Sequence, residues 1–191
     1  LPPKSSMALR LMNKPQESEH IQGVYLVDLE DHADKRGRFA EIFRKQWFPQ
    51  RSWDKLQWSR SESQAGVLRG LHYHHQQVDY WHCVVGRMRA GLCDLRRSSP
   101  TQGHRQIIEM DQECLQGLFI PVGVVHGFLA LTDVKLMYLV DNYYDGADEL
   151  GVAWNDPQID LHWGLTEPPI LSERDAQNLL LKDISPADLP V

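Results

Sequence analysis

Gly66-Val67-Leu68-Arg69-Gly70-Leu71-His72-Tyr73-His74 is the stretch that decides the fold of this chain. It places a histidine two residues after Gly70, inside a run that alternates as a half-buried strand does. A second segment, Ile120-Pro121-Val122-Gly123-Val124-Val125-His126-Gly127-Phe128, repeats the device. Two strand-borne histidines, each introduced by glycine, point to a small β-barrel with a polar site inside it.

The sequence on either side is strand-rich. Short apolar runs at 23–29, 39–43, 81–85, 88–95, 106–110, 117–120, 127–131 and 134–140 are separated by Gly, Asp, Ser and Pro. That density of short runs is the pattern of a sandwich or barrel. Gly86-Arg87 and Thr132-Asp133 read as tight turns. Helical signals are sparse. Residues 45–50 make at most one turn, and 172–181 read as a helix with Ser172 as N-cap and Asp175 at the capping-box position. The tail from Ile184, with Pro186 and Pro190, is expected to be loosely held. There is no internal repeat and no low-complexity segment.

Composition narrows the function classes. A chain of 191 residues reads as one domain, long enough to bury a core. Hydrophobic residues at 42% and charged residues at 24% describe a globular protein. A formal net charge of −6, with no basic run, argues against a nucleic-acid surface. No apolar stretch approaches bilayer length, and the first twenty residues lack the apolar segment of a signal peptide. Residues 1–6 precede Met7 and read as a tag remnant. The expected domain is 23–183, with an extension at 1–22 and a tail at 184–191. Cys83, Cys93 and Cys114 are odd in number without CxxC spacing, as expected of buried free thiols in a reducing cytoplasm.

Further motifs stand in order along the chain: Asp34-x-Arg36-Gly37-x-Phe39-x-Glu41, Gln57, Ser61-x-Ser63 leading into Gly66 to Tyr73, and Gly86 through Asp94-Leu95-Arg96-x-x-Ser99-Pro100-Thr101-x-Gly103. Pro121-x-Gly123-x-x-His126-Gly127-Phe128, Tyr138 with Tyr144, Trp154-Asn155-Asp156-Pro157 and Leu171-Ser172-x-x-Asp175 complete them. In these the chain resembles the dTDP-4-dehydrorhamnose 3,5-epimerase family of nucleotide-sugar enzymes. The resemblance implies an all-β fold: a cupin-type jelly-roll barrel with a short C-terminal helical segment. It also implies a cytoplasmic isomerase that needs no cofactor.

The family's chemistry suits these residue types. Epimerising a carbon beside a ketone removes a C–H proton on one face and returns a proton on the other. A base that titrates near neutrality favours histidine, and His72 holds the position of the family's base. A carboxylate on the other ring nitrogen fixes the tautomer and stabilises the imidazolium; Asp175 is in the matching position. Tyr138 matches the family's tyrosine and would reprotonate the enolate. Arg69 and Arg36 match arginines that fork onto the diphosphate. Phe39, Glu41, Gln57, Ser61, His126 and Tyr144 match positions lining the nucleotide or sugar site. In the family the N-terminal strands cross to a neighbouring subunit, which implies a homodimer whose 36–41 segment completes the partner's site. Each residue also has a plainer role open to it: Asp175 as a helix cap, Tyr138 and Phe39 as core, His126 as a barrel-interior hydrogen-bonder, Arg36 as a solvated turn residue.

The chain also departs from the family's pattern. The loop after Tyr73 is shorter, and alignment back from Gly86 puts Asp79 where the family has a lysine that would stabilise the enolate oxygen. Ala90 stands where an aspartate is usual, and Ser59 where an asparagine is common. A 3-epimerase, a different sugar or base, and a related isomerisation therefore stay open. So do two other classes. Gly66-x5-His72-x-His74-x4-Asp79-x6-Gly86, with His126, approximates the metal motif of other cupins, and three imidazoles with one carboxylate suit Fe, Mn, Ni or Zn. A sugar-nucleotide-binding cupin without catalysis is the third.

Overall fold

Two antiparallel sheets pack face to face in the computed structural model, which describes residues 13–191. The tag-like residues 1–6 and the start of the expected extension lie outside the described residues. One sheet has six strands: β1 (Pro15–Glu17), β2 (Tyr25–Asp28), β5 (Gln57–Ser63), β7 (Asp79–Val85), β10 (Gln116–Ile120) and β12 (Val134–Val140), in the spatial order β1-β2-β10-β7-β12-β5. The other has five: β6 (Leu68–Tyr73), β8 (Arg87–Asp94), β9 (Arg105–Asp111), β11 (Val124–Ala130) and β13 (Leu150–Gly151), in the order β13-β6-β11-β8-β9. A separate hairpin pairs β3 (His32–Asp34) with β4 (Gly37–Phe39). The all-β jelly-roll expectation holds, as does the short C-terminal helix α1 (Glu173–Ala176).

Burial follows from strand alternation. Trp81, Cys83, Leu118, Ile120 and Leu136 of the larger sheet meet Met88, Ala90, Leu92, Phe128 and Ala130 of the smaller one in a shared core. The outer face of the smaller sheet is covered as well, and that of the larger sheet in part. Leu68, Leu71, Tyr73, Val125 and Leu129 back onto Val152, Ile159 and Trp163 of the C-terminal stretch. Val27, Tyr80 and Phe119 back onto Phe48, with Phe43 and Trp53 around it. Every residue of β11 is buried because it is covered on both faces. At the β7–β8 turn Gly86 has a φ of +85°, and a Cβ there would collide with the Asp133 carbonyl.

Several expectations shift. The strand expected at 39–43 is instead the β3–β4 hairpin around Arg36-Gly37, after which Ile42 and Phe43 leave regular structure to join the aromatic cluster. The helix expected over 172–181 makes a single turn. Beyond it other groups capture the backbone: Leu179 O accepts from Ala153 N, and Leu181 N donates to Asp156 Oδ2. The tail is tied down rather than loose. Tyr73 Oη donates to Asp188 O at 3.1 Å, and Arg97 N donates to Pro190 O at 3.3 Å. Cys83 and Cys93 are buried, whereas Cys114 is exposed. Among the described residues no helix is long and apolar enough to cross a membrane.

Candidate active site

The polar site comes from an interruption in β6. Arg69 pairs with Phe128, Gly70 with Gly127, and His72 with His126, so Leu71 is an extra residue in the ladder. A bulge of this kind resets the alternation. Leu68, Leu71 and Tyr73 therefore face the outer core, while Arg69 and His72, three apart, both reach the barrel cavity. Gly70 makes the bulge possible. Its φ is +115°, and a Cβ would lie 2.8 Å from both Gly127 Cα and His126 O.

The cavity has a volume of about 220 Å³. Gln57, Ser61, Arg69, His72, His126, Tyr138 and Tyr144, all expected site residues, line it. His72 comes from the smaller sheet and Tyr138 from the larger, so the two enter from opposing walls. Behind His72 sits Asp175, 5% exposed. Its Oδ1 is 2.7 Å from His72 Nε2, and its Oδ2 accepts from Gly70 N at 3.2 Å. Ser172 Oγ caps α1 by accepting from Asp175 N, which fixes the carboxylate's approach. Asp175 thus caps nothing itself; it is the capped residue. Burial alone would raise its carboxyl, but His72, Gly70 and Ser172 together hold it below the usual carboxylate range. A carboxylate accepts from Nε2–H, so Nδ1 of neutral His72 carries the lone pair.

Arg69 is braced by Ser63 Oγ (2.9 Å from Nε) and Glu62 O (3.0 Å from Nη2). Ser61 Oγ is buried without a hydrogen-bond partner among the described residues. Gln57 Oε1 accepts from Tyr144 N, which holds the rim. Arg36, Phe39 and Glu41 do not reach the cavity of their own chain. Arg36 pairs with Asp34, Glu41 with Arg44, and Phe39 is 69% exposed.

A second cluster occupies the buried end of the cavity. Asp79 Oδ1 is 4.0 Å from His74 Nε2, and Asp79 Oδ2 is 3.9 Å from His126 Nε2. Of the four residues in the metal motif, these three converge; His72 is engaged with Asp175 instead. Burial pushes His126 well below the ordinary histidine range, although Asp79 opposes this.

Sequence reasoning missed Glu149 and Gln77, which also line the cavity. Glu149 Oε1 is 4.0 Å from His72 Nδ1, and Arg174 holds its other oxygen at 2.7 Å. Glu149 is placed by β13, a strand of two residues, too short to show a period.

Comparison with known proteins agrees with this architecture. The sequence profile described as dTDP-4-dehydrorhamnose 3,5-epimerase matches residues 18–183. The dTDP-4-dehydrorhamnose 3,5-epimerase of Shigella flexneri is 35% identical over 162 residues, covering 81% of this chain and 89% of the relative. The dTDP-4-dehydrorhamnose 3-epimerase of Streptomyces niveus is 35% identical over 176 residues, covering 88% and 84%. The crystal structure of the Legionella pneumophila dTDP-6-deoxy-D-glucose-3,5-epimerase in complex with dTDP-4-keto-L-rhamnose superposes with a TM-score of 0.86 at 30% identity, covering 93% of this chain and 97% of that one. By profile, sequence and structure, this chain belongs to the dTDP-4-dehydrorhamnose 3,5-epimerase family.

Proposed function

We propose that the protein epimerises a dTDP-linked 4-keto-6-deoxy sugar by proton transfer at carbon next to the ketone. The observation that carries this is the His72–Asp175 pair on one cavity wall with Tyr138 on the other. His72 Nδ1 takes the C–H proton. The C–H electrons form the C=C bond of an enolate and move the carbonyl π pair onto oxygen. Asp175 stabilises the imidazolium through Nε2. Tyr138 then gives its phenolic proton to the same carbon from the opposite face as the enolate collapses. Both residues return to their starting states by exchange with water. One such cycle inverts one centre, and a second cycle on the other side of the ketone inverts two.

Arg69, braced at Nε and Nη2, retains Nη1 for a diphosphate oxygen. Gln57, Ser61, His126 and Tyr144 are the remaining sugar and nucleotide contacts. Arg36, Phe39 and Glu41 serve the site of a second copy in a homodimer. The exposed hairpin supports this, as does an apolar strip of Leu56, Trp58, Met137 and Leu139 on the outer face of the larger sheet. Buried thiols at Cys83 and Cys93 suit a cytoplasmic location.

The test is incubation with dTDP-4-keto-6-deoxyglucose in D2O, counting deuterons at C3 and C5 by NMR. His72→Asn should abolish exchange while dTDP still binds; unchanged exchange would remove His72 as base. Sedimentation should give a dimer at micromolar concentration, and a fully active monomer would contradict the shared site.

A further inference from the structure

The cluster at the buried end of the cavity carries an unbalanced charge. Asp79 is 5% exposed. Its oxygens accept from Gln77 Nε2 at 3.0 Å and Trp81 Nε1 at 2.9 Å, both neutral donors. Among the described residues, the groups within ion-pair distance of it are two imidazoles, and no lysine or arginine. A buried carboxylate without a cation is costly.

The two imidazoles are oriented as ligands are. His74 Nδ1 lies 2.7 Å from Asp148 O, and His126 Nδ1 lies 2.9 Å from Val124 O. A carbonyl only accepts, so each Nδ1 donates, and in the neutral imidazole each Nε2 then presents its lone pair toward Asp79. Backbone carbonyls fixing the far nitrogen, and neutral donors holding the carboxylate, are what surrounds a metal's ligands in proteins. One competing contact is Gln77 Nε2 at 3.4 Å from His74 Nε2, a long one.

Spacing agrees with an ion between them. Two ligand atoms about 2.1 Å from a tetrahedral ion lie about 3.4 Å apart. The observed 4.0 Å from His74 to Asp79 Oδ1 and 3.9 Å from His126 to Asp79 Oδ2 are wider by roughly half an ångström and run to different carboxylate oxygens, so binding would draw the side chains in by small rotations. The three ligand atoms all lie within 4.8 Å of one another.

We propose that His74, Asp79 and His126 bind one divalent first-row transition-metal ion, with its open coordination positions facing the cavity, so that His126 meets the sugar through the ion rather than by a hydrogen bond of its own. Two imidazoles and one carboxylate match Fe²⁺, Co²⁺, Ni²⁺ or Zn²⁺ chemistry. Three protein ligands leave room for water or a ketone oxygen. Resting on the epimerase reading above, the ion supplies the positive charge that stabilises the enolate oxygen formed when His72 removes the proton. It would thus do from Asp79 what a cationic side chain at that position would do directly.

Chelator-stripped full-length protein is titrated with Co²⁺, followed by visible d–d absorption and elemental analysis. One Co²⁺ per chain is expected. Asp79→Asn and His74→Gln should weaken it by at least about 100-fold, Asp79→Glu should retain it, and His72→Asn should leave it intact. Absence of one-to-one Co²⁺, or equal binding by Asp79→Asn with circular dichroism unchanged, overturns the site. D2O exchange into the dTDP-4-keto sugar is then compared in stripped and reloaded protein. A rate at least tenfold lower in stripped protein, restored by Co²⁺, supports the ion's role in the reaction. Equal exchange in both overturns that role and leaves the epimerase standing. Stoichiometric Co²⁺ with no exchange in either form overturns the epimerase and the role together, while the binding site stands.

Discussion

Asp175→Asn tests the catalytic geometry more sharply than deletion does. The carboxylate holds two donors at once: His72 Nε2 at 2.7 Å and Gly70 N at 3.2 Å. An amide cannot accept from both. Gly70 N–H is fixed and donor-only, so the amide oxygen turns to it and the amide NH2 faces Nε2. Nε2 must then accept, which moves the imidazole proton to Nδ1, the atom that should receive the substrate's proton. Loss of the charge-assisted bond removes about 1.5–3 kcal/mol of imidazolium stabilisation. Reverting to the productive tautomer sets two donors against each other, about 1–3 kcal/mol more. Together they predict an exchange rate lower by about 10²- to 10⁴-fold. Asp175→Ala leaves Nε2 free and so permits the productive tautomer. It should be less damaging to turnover than Asn, yet less stable because Gly70 N–H is left buried and unpaired. Deuterium incorporation by NMR at saturating substrate, with urea unfolding alongside, reads both. An Asn variant within threefold of wild type, or an Ala variant slower than Asn, would refute the tautomer argument.

Tyr138→Phe should lose inversion by at least about 100-fold while deuterium still enters with retention, because removal and return of the proton both fall to His72; equal loss of washout and inversion would place Tyr138 elsewhere in the mechanism. Gly70→Ala should lower stability by roughly 3 kcal/mol, or about 6–12 °C in Tm, since the backbone is left-handed and the new Cβ meets backbone 2.8 Å away; an unchanged Tm would contradict the bulge. The pH dependence of unfolding has two parts. His82 is held below its ordinary 6.5 by burial, so it resists charging and stability should decline as pH falls from about 6.5. Asp175 is held below 3.8, so its contribution persists through that decline and is lost only as pH drops below 3.8 through its folded value. Stability rising between pH 7 and 5 in urea melts would be incompatible with the first part.

Most of the barrel was legible because its strands are apolar on a period of two. The strand at 134–140 was read to the residue, and β7 to β11 to within a few. β5 was missed for a physical reason. Its inward side chains, Gln57, Ser59, Ser61 and Ser63, are polar, while Trp58 points outward at 60% exposure. A strand lining a wet cavity inverts the pattern that usually reveals one. The bulge hid a second relation: strict alternation would put Arg69 and Leu71 on one face, not Arg69 and His72. His72 and Asp175 were paired through family resemblance, since no local pattern links residues 103 positions apart. The hairpin at Arg36-Gly37 was visible as a turn, but Phe39 is its last strand residue, not the first of the next.

The segment that delivers Asp175 also has a consequence for biosynthesis. Most of the cavity wall is in place once β12 has formed at Val140, with Tyr144 and Glu149 of the rim following soon after, so a nascent chain can build much of the pocket before its last forty or so residues exist. The carboxylate that orients His72 arrives only with α1, held against β6 by the C-terminal layer. A ribosome-bound or truncated chain would therefore hold ligand without turning it over. On the proposed mechanism, competence would be gated by this final docking event, which would keep enolate chemistry out of half-made protein. Appearance of exchange activity is then a clock for completion of folding, lagging the appearance of dTDP binding in a refolding time course.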